Sequence, residues 1–210
     1  MKSKIFIAMV LLSLMAFCQA AEILMTFQRQ SGGRTGESSM TTTDGTVWQS
    51  NASVYNNSNY YYMEYMFDRL HDPAGWGTGW LTNSSGADKW LTITFSEARY
   101  ITKIRSYTIM HPGYRSDAHV STSADGSNFT QRGDVLTGSH YNDSDYYNYY
   151  VDVYVNAFVK TVRYDLFNNT YNGCAVITEV EMYTQNVPVP EPSYLFFLGF
   201  ALLWIARRKA

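Results

Sequence analysis

Short stretches that alternate apolar and polar residues, separated by turn-forming residues, constrain this chain more than any other feature. Residues 90–95 read WLTITF, in which threonine alternates with large apolar side chains after Leu91. Alternation with a period of two places one face of a strand against a core. An Asp125-Gly126 pair, a strong hairpin signal, separates two further stretches of this kind. No long helical pattern occurs, so the sequence predicts an all-β sandwich or barrel.

The same pattern predicts where the elements begin and end. Residues 90–95 and 100–109 are expected to be separate strands, because a polar Ser-Glu-Ala-Arg run lies between them. Tyr62, Tyr65 and Met66 lie at helical spacing and predict a short helix that enters a loop. The predicted strands are residues 23–27, a segment around Val47, and residues 90–95, 100–109, 118–123, 129–133, 151–155, 158–167 and 176–183.

Composition excludes several classes of protein. The 210 residues are 46% hydrophobic, 16% aromatic and only 16% charged, which is too apolar for a disordered chain. Of the 16 basic residues five lie outside residues 21–187, and of the 18 acidic residues one does, so this segment carries a formal charge of −6. A negative charge of this size disfavours nucleic acid and other anionic partners, whereas neutral sugars remain compatible with it.

The first 20 residues predict a secretory signal peptide. Lys2 and Lys4 form a basic start, residues 5–17 are apolar, and small residues precede a cleavage site after Ala20. The alternative is a membrane anchor, but this apolar run is shorter than the roughly 20 residues that span a bilayer. Removal of the signal leaves Cys174 as the one cysteine of the mature domain, which therefore has no internal disulfide.

Residues 188–210 have a three-part order: a proline-rich spacer, an apolar run and a basic end. The apolar run, residues 194–206, predicts a short hydrophobic helix, and the generic alternative is a tail anchor. The order resembles the PEP-CTERM sorting signal of Gram-negative bacteria, which implies processing by an exosortase, transient insertion in the inner membrane, and export to the cell surface or extracellular matrix. The residues that carry this resemblance are Pro190, Glu191, Pro192, Arg207 and Arg208.

Between the two ends, a series of motifs occurs in an order typical of one fold family. The motifs are Met66-Phe67-Asp68 with Thr78-Gly79-Trp80, and residues 90–95, 101–105, 121–129, 162–164 and 177–183. Over residues 51–183 the chain resembles the discoidin, or coagulation factor V/VIII C-type, domain, which has a galactose-binding-like fold. The resemblance implies that residues 21–187 form a jelly-roll β-sandwich. The loop between Asp68 and Thr78 is longer than usual in the family, and the terminal cysteine pair of animal members is absent.

The resemblance also implies one structural Ca²⁺ ion. Carried over to this sequence, its ligands would be Asp68, Thr78 and Glu179, with Asp72 as an additional candidate in the longer loop. Oxygen ligands and a glycine-rich loop suit this cation. The alternative is that Asp68 caps a turn and that Glu179 is an exposed acid on a strand.

Ligand binding in this fold is expected from loops at one end of the sandwich, because a sugar needs flat aromatic faces and polar groups for its hydroxyls. The alternatives are that Trp76 covers the calcium loop, that His111 is a turn residue before Pro112, and that residues 171–173 only form a turn. The candidate contacts are Trp76, His111, Tyr114, Arg115, Tyr171 and Asn172.

Three functions follow from these features. The leading expectation is an exported, noncatalytic surface or matrix protein that binds a glycan or exopolysaccharide. The first alternative is a self-associating envelope or matrix protein without a sugar site. The second is a hydrolase of exopolysaccharide, which the absence of a nucleophile–base motif or a histidine metal cluster in the sequence disfavours.

Overall fold

The computed structural model describes residues 21–31, 37–55, 61–69, 79–83, 88–111, 113–140 and 149–185. Residues Glu22–Thr184 form one compact unit. The predicted signal peptide and the predicted sorting signal lie outside the described residues. Within the part of the chain that is described, no helix is long and apolar enough to cross a membrane.

The unit is built almost entirely from antiparallel strands, which confirms the all-β prediction. A 3₁₀ turn at Met63–Met66 takes the place of the short helix predicted there, and another spans Gly138–His140. The strands are β1 (Glu22–Leu24), β2 (Ser39–Thr41), β3 (Val47–Ser50), β4 (Trp80–Leu81), β5 (Lys89–Tyr107), β6 (Ile109–His111), β7 (Tyr114–Arg115), β8 (Asp117–Ser123), β9 (Thr130–Thr137), β10 (Val151–Phe167), β11 (Val176–Ile177) and β12 (Glu179–Gln185).

Two long strands, β5 and β10, belong to both layers of the sandwich. The first half of β5 pairs with β3 and with the second half of β10, which continues to β8 and β9; together with β2 these segments form the first sheet. The second half of β5 pairs with β12 and with the first half of β10, and β1 completes this second sheet at its edge. The two layers are therefore joined by continuous backbone.

Bulges allow these long strands to pass from one sheet to the other. Between the pairs Val159–Arg99 and Thr161–Thr94, β5 contains extra residues at positions 96–98, all of them exposed. The prediction of separate strands at 90–95 and 100–109 was therefore wrong, because the polar run is an outward bulge within one strand. Residues 151–155 and 158–167 are likewise one strand, with Asn156 at φ 47° beside a second bulge.

The Asp125-Gly126 hairpin is confirmed, and it connects β8 to β9. The Asp125 carboxylate accepts hydrogen bonds from the backbone N–H groups of Ser127 at 2.8 Å and Asn128 at 2.9 Å. Gly126 has φ 84°, a conformation that glycine adopts without strain. The returning strand covers Thr130–Thr137 rather than residues 129–133. The other predicted strands also shift, since β1 ends at Leu24 and residues 176–183 divide into β11 and β12.

The core lies between the two sheets and follows the alternation of β5 and β10. Leu91, Ile93 and Phe95 of β5 are buried, whereas the threonines between them face outward and are half-buried. At one side, the Trp48 ring packs against Phe27 and Phe67 at centroid distances of 5.4 and 4.8 Å. These three rings close the core at the point where the chain passes from Phe67 to Asp68.

Candidate ligand and metal sites

Two tight turns meet at one end of the sandwich. The β6–β7 hairpin contributes Tyr114, and the chain after β10 contributes Tyr171. Thr170 joins the two turns, since its hydroxyl donates to the carbonyl of Gly113 at 3.0 Å and accepts from the backbone N–H of Arg115 at 2.9 Å. The rings of Tyr114 and Tyr171 consequently stack, with a centroid distance of 4.0 Å and an interplanar angle of 28°.

The stacked pair is the centre of a row of rings that we call the tyrosine end. His111 lies edge-on to Tyr114 at 5.7 Å, and on the other side Tyr55 lies edge-on to Tyr171 at 6.1 Å. The row packs on a small buried cluster of Tyr61, Leu81, Cys174 and Val176. Tyr114 and Tyr171 thus cover one face of each other and are half-buried, whereas His111 is exposed.

Asn172 occupies the tip of the second turn. Asn172 and Gly173 have φ 48° and 75°, and the backbone N–H of Cys174 donates to the carbonyl of Tyr171 at 2.7 Å. Positive φ at both central residues is the signature of a type I′ turn. Residues 171–173 therefore do form a turn, and this turn leaves the Asn172 side chain exposed.

The tyrosine end brings together five of the six residues predicted to contact a ligand. His111, Tyr114, Arg115, Tyr171 and Asn172 lie on the two adjoining turns, whereas Trp76 lies outside the described residues. Sequence reasoning missed Tyr55, because its neighbours in the chain carry no signal that it packs against a turn more than a hundred residues away.

Glu179, a predicted metal ligand, is a buried carboxyl group on β12. It is 1% exposed, which contradicts the alternative of an exposed strand acid. Burial, together with the negative charge of Asp68, raises the pKa of Glu179 to about 9, although the backbone N–H of Arg69 donates a hydrogen bond to it. Its Oε2 atom has no hydrogen-bond partner among the described residues. A buried carboxylate beside a second acid is costly unless a cation joins them.

The backbone just before Glu179 lies directly against Gly79, the residue that precedes β4. Gly79 has φ 126°, and a Cβ atom on it would lie 2.6 Å from the Thr178 Cα atom. The segment before β4 therefore passes directly against the start of β12.

The remaining predicted metal ligands, Asp72 and Thr78, lie outside the described residues. Within the described part of the chain, no group of three or more histidine, cysteine, aspartate or glutamate side chains is arranged to hold a metal. Asp68 and Glu179 are therefore two members of the predicted set, and completion of the site would depend on the loop of residues 70–78 and on backbone carbonyls.

No family model matches the sequence, and no curated protein matches it. Solved structures do match in fold. The chain aligns with a Ruminococcus gnavus GH29 fucosidase crystallised with fucose at a TM-score of 0.52 and 13% identity, over 69% of this chain and 26% of that chain. This likeness agrees with the expected fold, an all-β, discoidin-like jelly-roll sandwich.

Other matches are to carbohydrate-binding modules of family CBM32. One is CpGH89CBM32-5 from Clostridium perfringens, in complex with GalNAc-β-1,3-galactose, at 13% identity and a TM-score of 0.48 over 65% of this chain and 94% of that chain. Another is the CBM32 of AlyQ in complex with 4,5-unsaturated mannuronic acid, at 15% identity and a TM-score of 0.45 over 64% and 92%. In a match to a family 89 glycoside hydrolase from Clostridium perfringens, the alignment covers 14% of that chain.

Proposed function

We propose that this protein is an exported, noncatalytic glycan-binding protein and that the tyrosine end is its sugar site. The observation that carries the proposal is the contact of Tyr114 with Tyr171 between two exposed polar residues, His111 and Asn172. A sugar ring has apolar C–H faces and hydroxyl edges, so it binds where aromatic and hydrogen-bonding groups converge. Because Tyr114 and Tyr171 stack on each other and are half-buried, a sugar would contact the part of each ring that remains exposed.

The test is a glycan array probed with the full chain, followed by titration of the best ligand. Asn172→Gly keeps the positive φ of the turn and removes the side-chain amide, so it should weaken binding about fivefold without loss of stability. His111→Ala should act in the same direction. Asp134→Ala, which removes an exposed polar side chain on β9, is the control. Wild-type affinity in both Asn172→Gly and His111→Ala would contradict this assignment of the site.

A structural Ca²⁺ ion is part of the proposal. Asp68 and Glu179 would hold it, with Asp72 and Thr78 assigned by resemblance to the discoidin family. Bound calcium would neutralise the buried Glu179 carboxylate and tie the segment before β4 to β12. Support comes from the partnerless Oε2 atom and from the raised pKa of Glu179, to about 9 through burial and the nearby Asp68 charge.

Export and sorting form a separate part of the proposal. Residues 1–20 would direct export, and residues 188–210 would be cut by an exosortase after transient insertion in the inner membrane, so that the domain reaches the surface or matrix of a Gram-negative cell. The mass of the protein recovered from its host should place both new termini. Glu191→Ala should leave the tail attached, whereas a wild-type protein that still ends at Ala210 would contradict exosortase processing.

Self-association is a second candidate function, favoured by a specific observation. Tyr154 and Phe158 of β10 are 69% and 62% exposed. Large exposed aromatic side chains are enriched where proteins contact one another. Sedimentation of the full chain at increasing concentration should show assembly that Tyr154→Ser with Phe158→Ser abolishes, if this face joins copies of the protein.

A further inference from the structure

A groove of about 420 Å³ crosses the outer face of the first sheet. Its floor is formed by side chains of β5 and β10 that alternate with core residues, among them Thr92, Thr94 and Thr161. The β8–β9 turn folds over this face, so that Phe129 forms one wall, and Trp90 lines the groove from β5. The groove uses none of the residues of the tyrosine end.

The strand register extends the floor into a row of hydrogen-bonding side chains. Gln49 lies opposite Thr92, Thr92 opposite Arg163, Arg163 opposite Ser121, and Ser121 opposite Gln131. Five neighbouring strands therefore contribute one polar side chain each. With strands about 4.8 Å apart, the row is roughly 19 Å long, enough for several consecutive sugar rings.

Aromatic rings flank the cationic centre of this row. The Arg163 guanidinium lies 5.5 Å from the Trp90 ring centroid and 5.9 Å from that of Phe129. Asp165 fixes its orientation, because the carboxylate accepts from Arg163 Nε at 2.9 Å and from Nη2 at 2.8 Å. The groove thus combines two aromatic side chains with a hydrogen-bond donor whose position is already set.

The charges along the groove are balanced. Arg163 pairs with Asp165, and the other cation, Lys160, is accompanied by Asp125, whose carboxylate is held by the turn it forms. Lys160 Nζ itself donates to the carbonyl of Ser96 at 2.7 Å. A balanced groove does not select an anionic polymer, and the domain as a whole is negative. Charge therefore favours an uncharged ligand.

The pairing of the strands favours a sugar chain over a peptide as the ligand of this groove. A peptide commonly binds a sheet by adding a strand to a free edge. β5 and β10 are central strands, each paired on both sides along the groove, so no free edge is offered there. A ligand on this face must interact with side chains, which carry hydroxyls, amides, aromatic rings and the paired charges already described.

We propose that this groove is a second carbohydrate site, which takes an internal stretch of an uncharged polysaccharide lying across the strands. Trp90 and Phe129 would contact the C–H faces of successive sugars, and Arg163, Thr92 and Gln49 would bind their hydroxyls. The inference shares one premise with the proposed function, that the ligand is a glycan, but it assigns different residues and a longer ligand.

The test is affinity electrophoresis of the full chain through gels that contain galactan, galactomannan or mixed-linkage β-glucan, together with titration of galactose and fucose. Phe129→Ala and Trp90→Ala should each weaken binding to the retained polymer about tenfold and leave monosaccharide binding unchanged. Phe129 is 38% exposed, which makes its truncation tolerable for folding. Tyr150→Ala, which removes an exposed tyrosine outside the groove, is the aromatic control, and circular dichroism verifies that each variant is folded.

The outcomes distinguish the two sites. Polymer binding lost in Phe129→Ala and Trp90→Ala but kept in Asn172→Gly supports the groove, and the tyrosine end is tested separately by the monosaccharide affinity of Asn172→Gly. Polymer binding that is unchanged in both groove variants, with binding lost in Asn172→Gly, overturns the groove and leaves the proposed function in place. A wild-type chain that none of the three polymers retards also overturns the groove.

Discussion

The hydroxyl groups of Tyr164 and Ser106 lie 2.8 Å apart inside the sandwich and form a hydrogen bond between strands of the two layers. Both side chains are buried, and burial raises the pKa of Tyr164 although the bond to Ser106 opposes this shift. The bond connects the second half of β10, in the first sheet, to the second half of β5, in the second.

Tyr164→Phe should lower the free energy of unfolding by about 1–3 kcal/mol, because it leaves the Ser106 hydroxyl buried without this partner. Ser106→Ala should have a similar effect through the tyrosine. The double variant should lose less than the sum of the two single losses, since neither hydroxyl then remains buried. Urea unfolding of the four proteins measures this, and strict additivity would contradict the coupling.

Calcium should raise the thermal stability of the full chain. We expect the melting temperature to be higher in Ca²⁺ than in a chelator, because a ligand that binds only the folded state stabilises it. Glu179→Gln should remove this difference. It should also leave the chelator-treated protein at least as stable as wild type, since the glutamine carries no charge into the core. A melting temperature that a chelator does not change in wild type would contradict the calcium proposal.

Gly79→Ala should prevent normal folding or destabilise the protein by more than about 2 kcal/mol, because the new Cβ atom would lie 2.6 Å from the Thr178 backbone at φ 126°. Gly113→Ala is the matched control, since its Cβ atom would meet only His111 Nδ1, at 3.8 Å. Soluble yield and melting temperature distinguish the two variants. Equal stability would mean that the segment before β4 can move away from β12.

The Asp125 turn should make part of the stability sensitive to acid. Hydrogen bonds from Asn128 and Ser127 lower the pKa of Asp125 from its ordinary value of 3.8. Because the pKa is lower in the folded state, the contribution is present above about pH 4 and is lost as the pH falls through the folded value. Asp125→Ala should thus lower the midpoint of urea unfolding at pH 7. Between pH 7 and pH 3, the midpoint of this variant should fall by less than the midpoint of wild type does.

Asp134→Ala is the matched control for the acid experiment, since Asp134 is an exposed aspartate on the strand that follows the same turn. It should retain both the wild-type midpoint at pH 7 and the wild-type loss at pH 3. If Asp125→Ala and Asp134→Ala behave alike, the turn bonds contribute nothing measurable to stability.

Local pattern predicted the strands and the β8–β9 turn, because alternation and the Asp125-Gly126 pair are properties of adjacent residues. The continuity of β5 and β10 was not predictable in the same way. A polar run such as residues 96–99 has the same composition whether it ends a strand or bulges from it, and only the pairing with β10 distinguishes these cases.

The candidate sites, like the strands, could be predicted from the sequence only in part. The convergence of Tyr114 and Tyr171 agrees with the expectation from family resemblance, whereas the contribution of Tyr55 depends on packing between distant segments. The groove residues Trp90 and Phe129 lie in two of the family motifs but were not predicted to contact a ligand. The register of the strands and the position of the β8–β9 turn bring Trp90 and Phe129 to the same face. Neither the register nor the turn position can be predicted from a single segment.

The passage of β5 and β10 through both layers fixes how far apart surface features of the domain are. Neither sheet can slide past the other without breaking these two strands, so the groove and the tyrosine end keep a constant separation. If a polymer occupied both, its second contact would be intramolecular, at an effective concentration set by the length and stiffness of the polymer between them. The domain would then bind most tightly to glycans that are long enough to span this fixed distance.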